Sequence, residues 1–220
     1  FIADGHHRYE AARTYSVEIE NKPAPRALKR NSRYLMAYFV EADEHMLTIL
    51  PSHRVIRDLS ILKKDEAKKR LEKFFYIEKA PDVESLMSKL EGSLANSHIF
   101  GMYLGGDEFY ALRMKSVKFS NRLIKNSSRE WKRLDVTILH LFILEYALGI
   151  RDDDDNVEFV KDAKDAVRLV DSKRFKLAFF LNPTKVAQVK KIARLGERMP
   201  RKATYFYPKP LSGLVINKLY

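Results

Sequence analysis

The chain has 220 residues, 45% hydrophobic and 32% charged, with 41 Lys/Arg against 29 Asp/Glu, a formal charge of +12 and no cysteine. That apolar share can bury a core, but no run approaches the roughly 20 residues a membrane-spanning helix needs, and disulfide scaffolds and thiolate metal sites are excluded. The size suits one large or two small domains in a cytoplasmic protein, and the positive field draws in anions without naming them, since lysine-rich surfaces also accompany heat adaptation.

Phe1–Ala3 read as the end of a strand running into a helix, an arrangement that implies a missing N-terminal portion. Asp4 occupies an N-cap position, and His7 to Ile19 is the expected helix, with Ala11, Ala12 and Tyr15 on its packed face. Residues 22–32, with two prolines and several cations, read as a linker. RYLMAYFVEAD (33–43) is rich in aromatic and aliphatic residues and reads as a strand, with MLTILPSHRVI (46–56) as its partner, interrupted at Pro51.

Helical spacing of Ala67, Leu71 and Phe74 predicts a helix, and FYIEKA (75–80) a short strand. Asp82 caps a second helix, running to Asn96, that carries Val83, Leu86, Met87 and Leu90 on one side. Residues 98–115 alternate around Gly105, Gly106 and Asp107 as a hairpin. The apolar stretch 136–150 is a helix that starts at an Asp135 cap and stops at Gly149, with His140 as a partly buried polar residue. Beyond a solvated acidic loop, Asp152 to Asp155, the order is strand (157–160), helix (162–170), strand (177–181) and helix (184–195). That rhythm suggests crossover connections. The expected class is mixed α/β (α+β), a mixed sheet with flanking helices, divided loosely into 1–150 and a 151–220 segment packed on the same body.

The opening turn carries the most chemistry. A strand leading through a small-residue turn into a helix leaves backbone N–H groups for an anion, and the helix dipole adds to their pull. Gly5 permits close approach. His6, His7 and Arg8 add donors, and Arg8 can grip phosphate oxygens in pairs. Asp4 can cap the helix, hold a histidine tautomer or place a Mg²⁺ ion. Asp4 and His6 are the candidates for a catalytic step, and Gly5, His6, His7 and Arg8 for phosphate or nucleotide binding. Zinc is not expected, because adjacent histidines point in different directions on a helix.

Two further groups are candidates for a substrate pocket. His53 and Arg54 follow Pro51 and are read either as substrate contacts or as a polar strand end. Near the C-terminus Lys202 and Lys209 bracket Tyr205 and Tyr207. An alternating strand there would put Lys202, Thr204 and Phe206 on one face and Ala203, Tyr205 and Tyr207 on the other, with Phe206 in the core. Residues 115–133 and 190–202 each hold many cations and a single glutamate. Walker, GxGxxG and GxSxG patterns are absent.

IADGHHRYEAA at the start, LPSHRVI in the middle and MPRKATYFYPKPLSGLVINKL at the end resemble an uncharacterised bacterial and archaeal family, domain-of-unknown-function family 1015. The resemblance brackets almost the whole chain. In that family the DGHHR stretch lies well inside the protein, which implies that this chain is its C-terminal portion; a serine there stands where this chain has Ala203. More distantly, DGHHR is similar to the helix-start motif of the ParB/sulfiredoxin superfamily, which includes a free-serine kinase, the ATP-using sulfiredoxins and the CTP-binding ParB proteins. That resemblance implies that Gly5, His6, His7 and Arg8 hold nucleotide phosphates and that Asp4 orients metal or substrate. The catalytic base would then precede the motif. The leading expectation is a nucleotide or phosphorylated small molecule as partner, ATP or ADP with Mg²⁺ as cofactor, and phosphotransfer to a small metabolite such as an amino acid. A ParB-like nucleic-acid-associated protein and a non-catalytic ligand-binding module are the alternatives; no membrane partner is expected.

Overall fold

The computed structural model describes every residue except Glu44, 60–61, 93–96, 125–126, 151–154, Ser212 and 219–220. The chain divides into two compact units, one formed by 1–48 with 206–220 and the other by 49–205. Most of the acidic run expected as a solvated loop, and the tail of the helix expected to reach Asn96, lie outside the described residues.

In the first unit α1 (His6–Glu20) and the short α2 (Arg26–Asn31) are the helices. Three expectations are corrected here. Residues 1–3 form no strand, since none of the described strands pairs with them. The segment expected as a linker supplies α2, which begins after Pro25, a residue whose fixed φ is compatible with a helix start. Residues 33–43 form no strand either: Tyr38 and Phe39 are 77% and 88% exposed. Aromatic and aliphatic residues favour a strand only where a sheet offers neighbours to pack on, and none is supplied here. For the same reason α1 buries no residue, and Ala11 and Tyr15 stay exposed.

The second unit is built on a six-stranded sheet from β2 (His53–Ile56), β3 (Phe75–Ala80), β4 (Ile99–Tyr103), β5 (Phe109–Met114), β6 (Val157–Val160) and β7 (Leu177–Phe180), in the order β3-β5-β4-β7-β2-β6. A separate two-stranded sheet pairs β1 (Thr48–Leu50) with β8 (Tyr205–Tyr207). Every neighbouring pair in the large sheet is antiparallel, so the architecture is mixed α+β, as the sequence suggests. The crossover rhythm is realised with a twist. β6 and β7 run the same way but are separated by β2, and β3 and β4 run the same way but are separated by β5. Each half is therefore a β-α-β unit opened to admit one antiparallel strand. Since β6 and β7 flank β2, residues on both sides of position 150 share one sheet.

Helices α4 (Val83–Glu91) and α8 (Ala163–Asp171) cross over one face of this sheet. Both start from an aspartate whose side chain accepts backbone N–H: Asp82 from Ser85 (2.7 Å), and Asp162 from Lys164 and Asp165 (2.7 and 3.2 Å). Leu86, Leu90, Ala166 and Val170 pack there against Val55, Ala178 and Phe180. On the opposite face α3 (Lys64–Glu72) and an apolar helix cover Ile56, Phe100, Leu112, Leu177 and Phe179. That helix opens with a short α-turn, Asp135–Thr137, and widens into a π-helix over Ile138–Leu148 that ends at Gly149 in the left-handed conformation, φ 68°. Asp135 is not its cap. Leu134 holds the cap position, and the Asp135 carboxylate lies 2.6 Å from His98 Nδ1.

At Gly101, in central strand β4, helix and sheet pack closely: a Cβ there would lie 2.9 Å from Leu86 Cδ2 and 2.9 Å from Phe180 Cβ. Gly101→Val is expected to cost about 1–3 kcal/mol through overpacking, read as a fall in Tm. An unchanged Tm would mean that α4 can move outward freely.

Candidate anion-binding site

The opening turn owes its shape to Gly5, which adopts φ 80°, ψ 29° and stands at the N-cap of α1. Asp4, expected as the cap, turns back instead, and its Oδ1 accepts the Gly5 N–H at 2.8 Å. A left-handed residue directly before the helix leaves the aspartate one position too early to reach the first-turn amides. No side chain caps α1. The first intrahelical bond runs from Tyr9 N–H to the Gly5 carbonyl (3.0 Å), so the amides of His6, His7 and Arg8 precede the hydrogen-bonded ladder. Arg8 folds over the same turn: a Cβ on residue 5 would meet its Nη2 at 2.9 Å and its Nε at 3.1 Å. His6 and His7 are exposed, and His7 Nδ1 lies 3.8 Å from Glu10.

A residue from the far end of the chain joins this turn. Lys209 Nζ lies 2.6 Å from Asp4 Oδ2. That bond, helped by the Gly5 amide and opposed by partial burial, holds the Asp4 carboxyl below the usual carboxylate range. Uncapped amides, one guanidinium and one ammonium gather around a single carboxylate. Among the described residues no group of three or more His, Asp or Glu is placed to hold a metal ion. Asp4 could give one carboxylate to a Mg²⁺ ion carried in on phosphates, after parting from Lys209.

The other candidates lie in the second unit, apart from Tyr207, which is 54% exposed and belongs with Lys209 to the first. His53 and Arg54 open β2 and are buried, 1% and 0% exposed. They are neighbours on β2 and take opposite faces of the sheet. His53 packs edge-on against Phe180, with its Nδ1 unpartnered among the described residues. Burial, then the charge of Arg54, pushes it down to about 4. The Arg54 fork donates to the Ser52 carbonyl, to the Lys202 carbonyl (3.1 Å) and, through Nε, to His140 Nε2 (2.8 Å), beneath the Phe159 ring. Its role is to fasten the Lys202 turn.

The alternating strand expected from Lys202 is shorter, because Lys202 sits in a turn at φ 53° and β8 starts only at Tyr205. Phe206 is buried, as expected, and the Lys161 ammonium lies 3.6 Å from the Tyr205 ring centroid. Phe159 and Lys161 are not singled out by the sequence; His140 is, as a partly buried polar residue, but not as the acceptor of Arg54.

No curated protein matches the chain. A solved structure, a conserved hypothetical protein from Pyrococcus furiosus, aligns with 93% of this chain and 68% of its own, at 13% identity and a TM-score of 0.45. The family model described as Protein of unknown function (DUF1015) matches residues 1–137, a span that holds the Asp4–Arg8 turn, His53 and Arg54, and this chain belongs to that family.

Proposed function

We propose that the Asp4–Arg8 turn binds the phosphate of a nucleotide or another phosphorylated small molecule. The supporting observation is the gathering of Lys209 and Arg8 on an uncapped helix start whose glycine leaves the backbone approachable. Phosphate oxygens would take the His6, His7 and Arg8 amides and the Arg8 fork. The pull of an incoming anion on Lys209 would release Asp4.

The activity that suits this cradle, by similarity of the turn to the ParB/sulfiredoxin helix start, is transfer of a phosphoryl group from ATP to a small-metabolite hydroxyl, an amino acid among the candidates. Such transfer needs positioning and charge stabilisation more than covalent chemistry. Mg²⁺ supplies charge neutralisation on the phosphates when bound. Asp4 and His6 are the groups proposed to handle the hydroxyl proton.

Titration calorimetry with ATP, ADP and inorganic phosphate, with and without Mg²⁺, tests the reading. Arg8→Ala is expected to weaken nucleotide binding by about 1.5–3 kcal/mol, the range for a charge-assisted hydrogen bond. Undiminished affinity in that variant, or no binding of the three ligands at millimolar concentration, removes the site. Binding without phosphotransfer to any amino-acid hydroxyl leaves a ligand-binding module.

A further inference from the structure

We infer that the second unit carries a docking face for single-stranded nucleic acid, separate from the opening turn. Between residues 115 and 133 and between 190 and 202, the described residues include twelve Lys or Arg and only two acids, Glu130 and Glu197, in a chain whose formal charge is +12. Some sixty residues apart in sequence, these segments are brought together by α6 (Arg129–Lys132) packing on α9 (Val186–Arg194). Four bonds pin the junction: Ser128 N–H to Glu197 Oε1 (2.7 Å), the Ser128 hydroxyl to Glu197 Oε2, Lys191 Nζ to Glu130 Oε1 (2.8 Å) and Trp131 Nε1–H to the Arg198 carbonyl (3.0 Å). Both glutamates are thus spent inside the junction, and the Lys191 hydrogen bond holds the Glu130 carboxyl below its ordinary range. Arg122, Arg129 and Arg194 are exposed. Around the α6–α9 junction these cations complement a row of phosphates.

Beside these cations opens a cleft of about 470 Å³ whose wall includes Leu123, Trp131, Leu141 and Tyr146, with Glu145 as its carboxylate. Tyr146 is 56% exposed and stacks its inner face on Phe142, ring centroids 5.7 Å apart. An aromatic wall offers nothing to a phosphate and accepts a planar base by stacking. A cationic rim with aromatic platforms is the pattern that holds single strands, since unpaired bases can leave the backbone and stack. Duplex bases are locked in their own stack, and a bilayer has no planar group to fill the cleft.

The test uses the full chain with a fluorescein-labelled oligouridine of roughly 12 nucleotides, a matched duplex and phosphatidylserine-containing vesicles. Oligouridine is expected to bind at about 50 mM salt, to quench the single tryptophan, and to show a log–log salt slope of about −0.7 per phosphate neutralised. Arg129→Glu with Arg194→Glu should lower affinity roughly tenfold or more and flatten that slope. Tyr146→Leu, which keeps an apolar contact on Phe142 without the ring's outer face, should cost roughly tenfold on oligouridine and leave duplex affinity unchanged. Absence of oligouridine binding, equal duplex binding without quenching, or binding to vesicles alone would each overturn the inference. Every residue involved lies in the second unit, so the result is independent of the fate of the opening turn.

Discussion

Arg54→Ala is expected to remove about 3–5 kcal/mol of stability, the sum of a buried void and abandoned acceptors. The side chain is wholly buried, and its fork serves two carbonyls and the His140 ring at once. Once it is gone, the Ser52 and Lys202 carbonyls and the imidazole face a dry cavity. The Lys202 turn, already at a positive φ, loses the bond that fixes it. Urea unfolding followed by the single tryptophan reads the change. Arg54→Lys separates charge from geometry, because an ammonium cannot reach three acceptors held by a planar fork. A loss under about 1 kcal/mol for the alanine variant would show that the turn is held by other contacts.

The second large effect is a pH dependence with a known sign. Burial, with the Arg54 charge beside it, pushes His53 down to about 4 from the 6.5 of an ordinary histidine. Above pH 6.5 both states are neutral and the group is silent. As pH falls through 6.5 the unfolded chain takes up a proton that the folded chain refuses, so stability drains away until about pH 4, where the folded state also protonates. The shift corresponds to about 3 kcal/mol over that window. His53→Gln should be flatter than the parent between pH 6.5 and 4 by that amount. Parallel curves for the two proteins would mean that the buried ring accepts a proton without cost.

Much of the second unit is legible from sequence because local signals and tertiary outcome agree. The Asp82 cap, the Gly105–Asp107 turn and the Gly149 stop all do in the fold what their chemistry suggests. The π-helix is not legible. Ile138 to Leu148 is apolar on nearly every side, so no periodicity separates one helical pitch from another. The extended reading of 33–43 fails for a different reason: its composition favours a strand, but pairing depends on a neighbour that local sequence does not encode. At the candidate site Gly5 and Arg8 could be read directly, whereas the Lys209 partner of Asp4 lies 205 residues away. His53 and Arg54 were visible as polar residues, but their burial was not, because the groups that receive the Arg54 fork come from positions 52, 140 and 202.

The six-stranded sheet is open, and its two outermost ladders, β3 and β6, have consequences for how concentrated solutions behave. An unprotected rim of N–H and C=O groups invites another sheet to continue the pairing. On β3 the outward positions include Tyr76, Glu78 and Lys79, and Glu78 is held by Lys89 from α4. On β6 Glu158 stands exposed within 3.7 Å of Arg57. A strand added to either rim would have to strip water from these ions and break those pairs. Those charges therefore oppose fibrillar growth along either rim, even though the rest of each strand is made of the residues that fibrils favour.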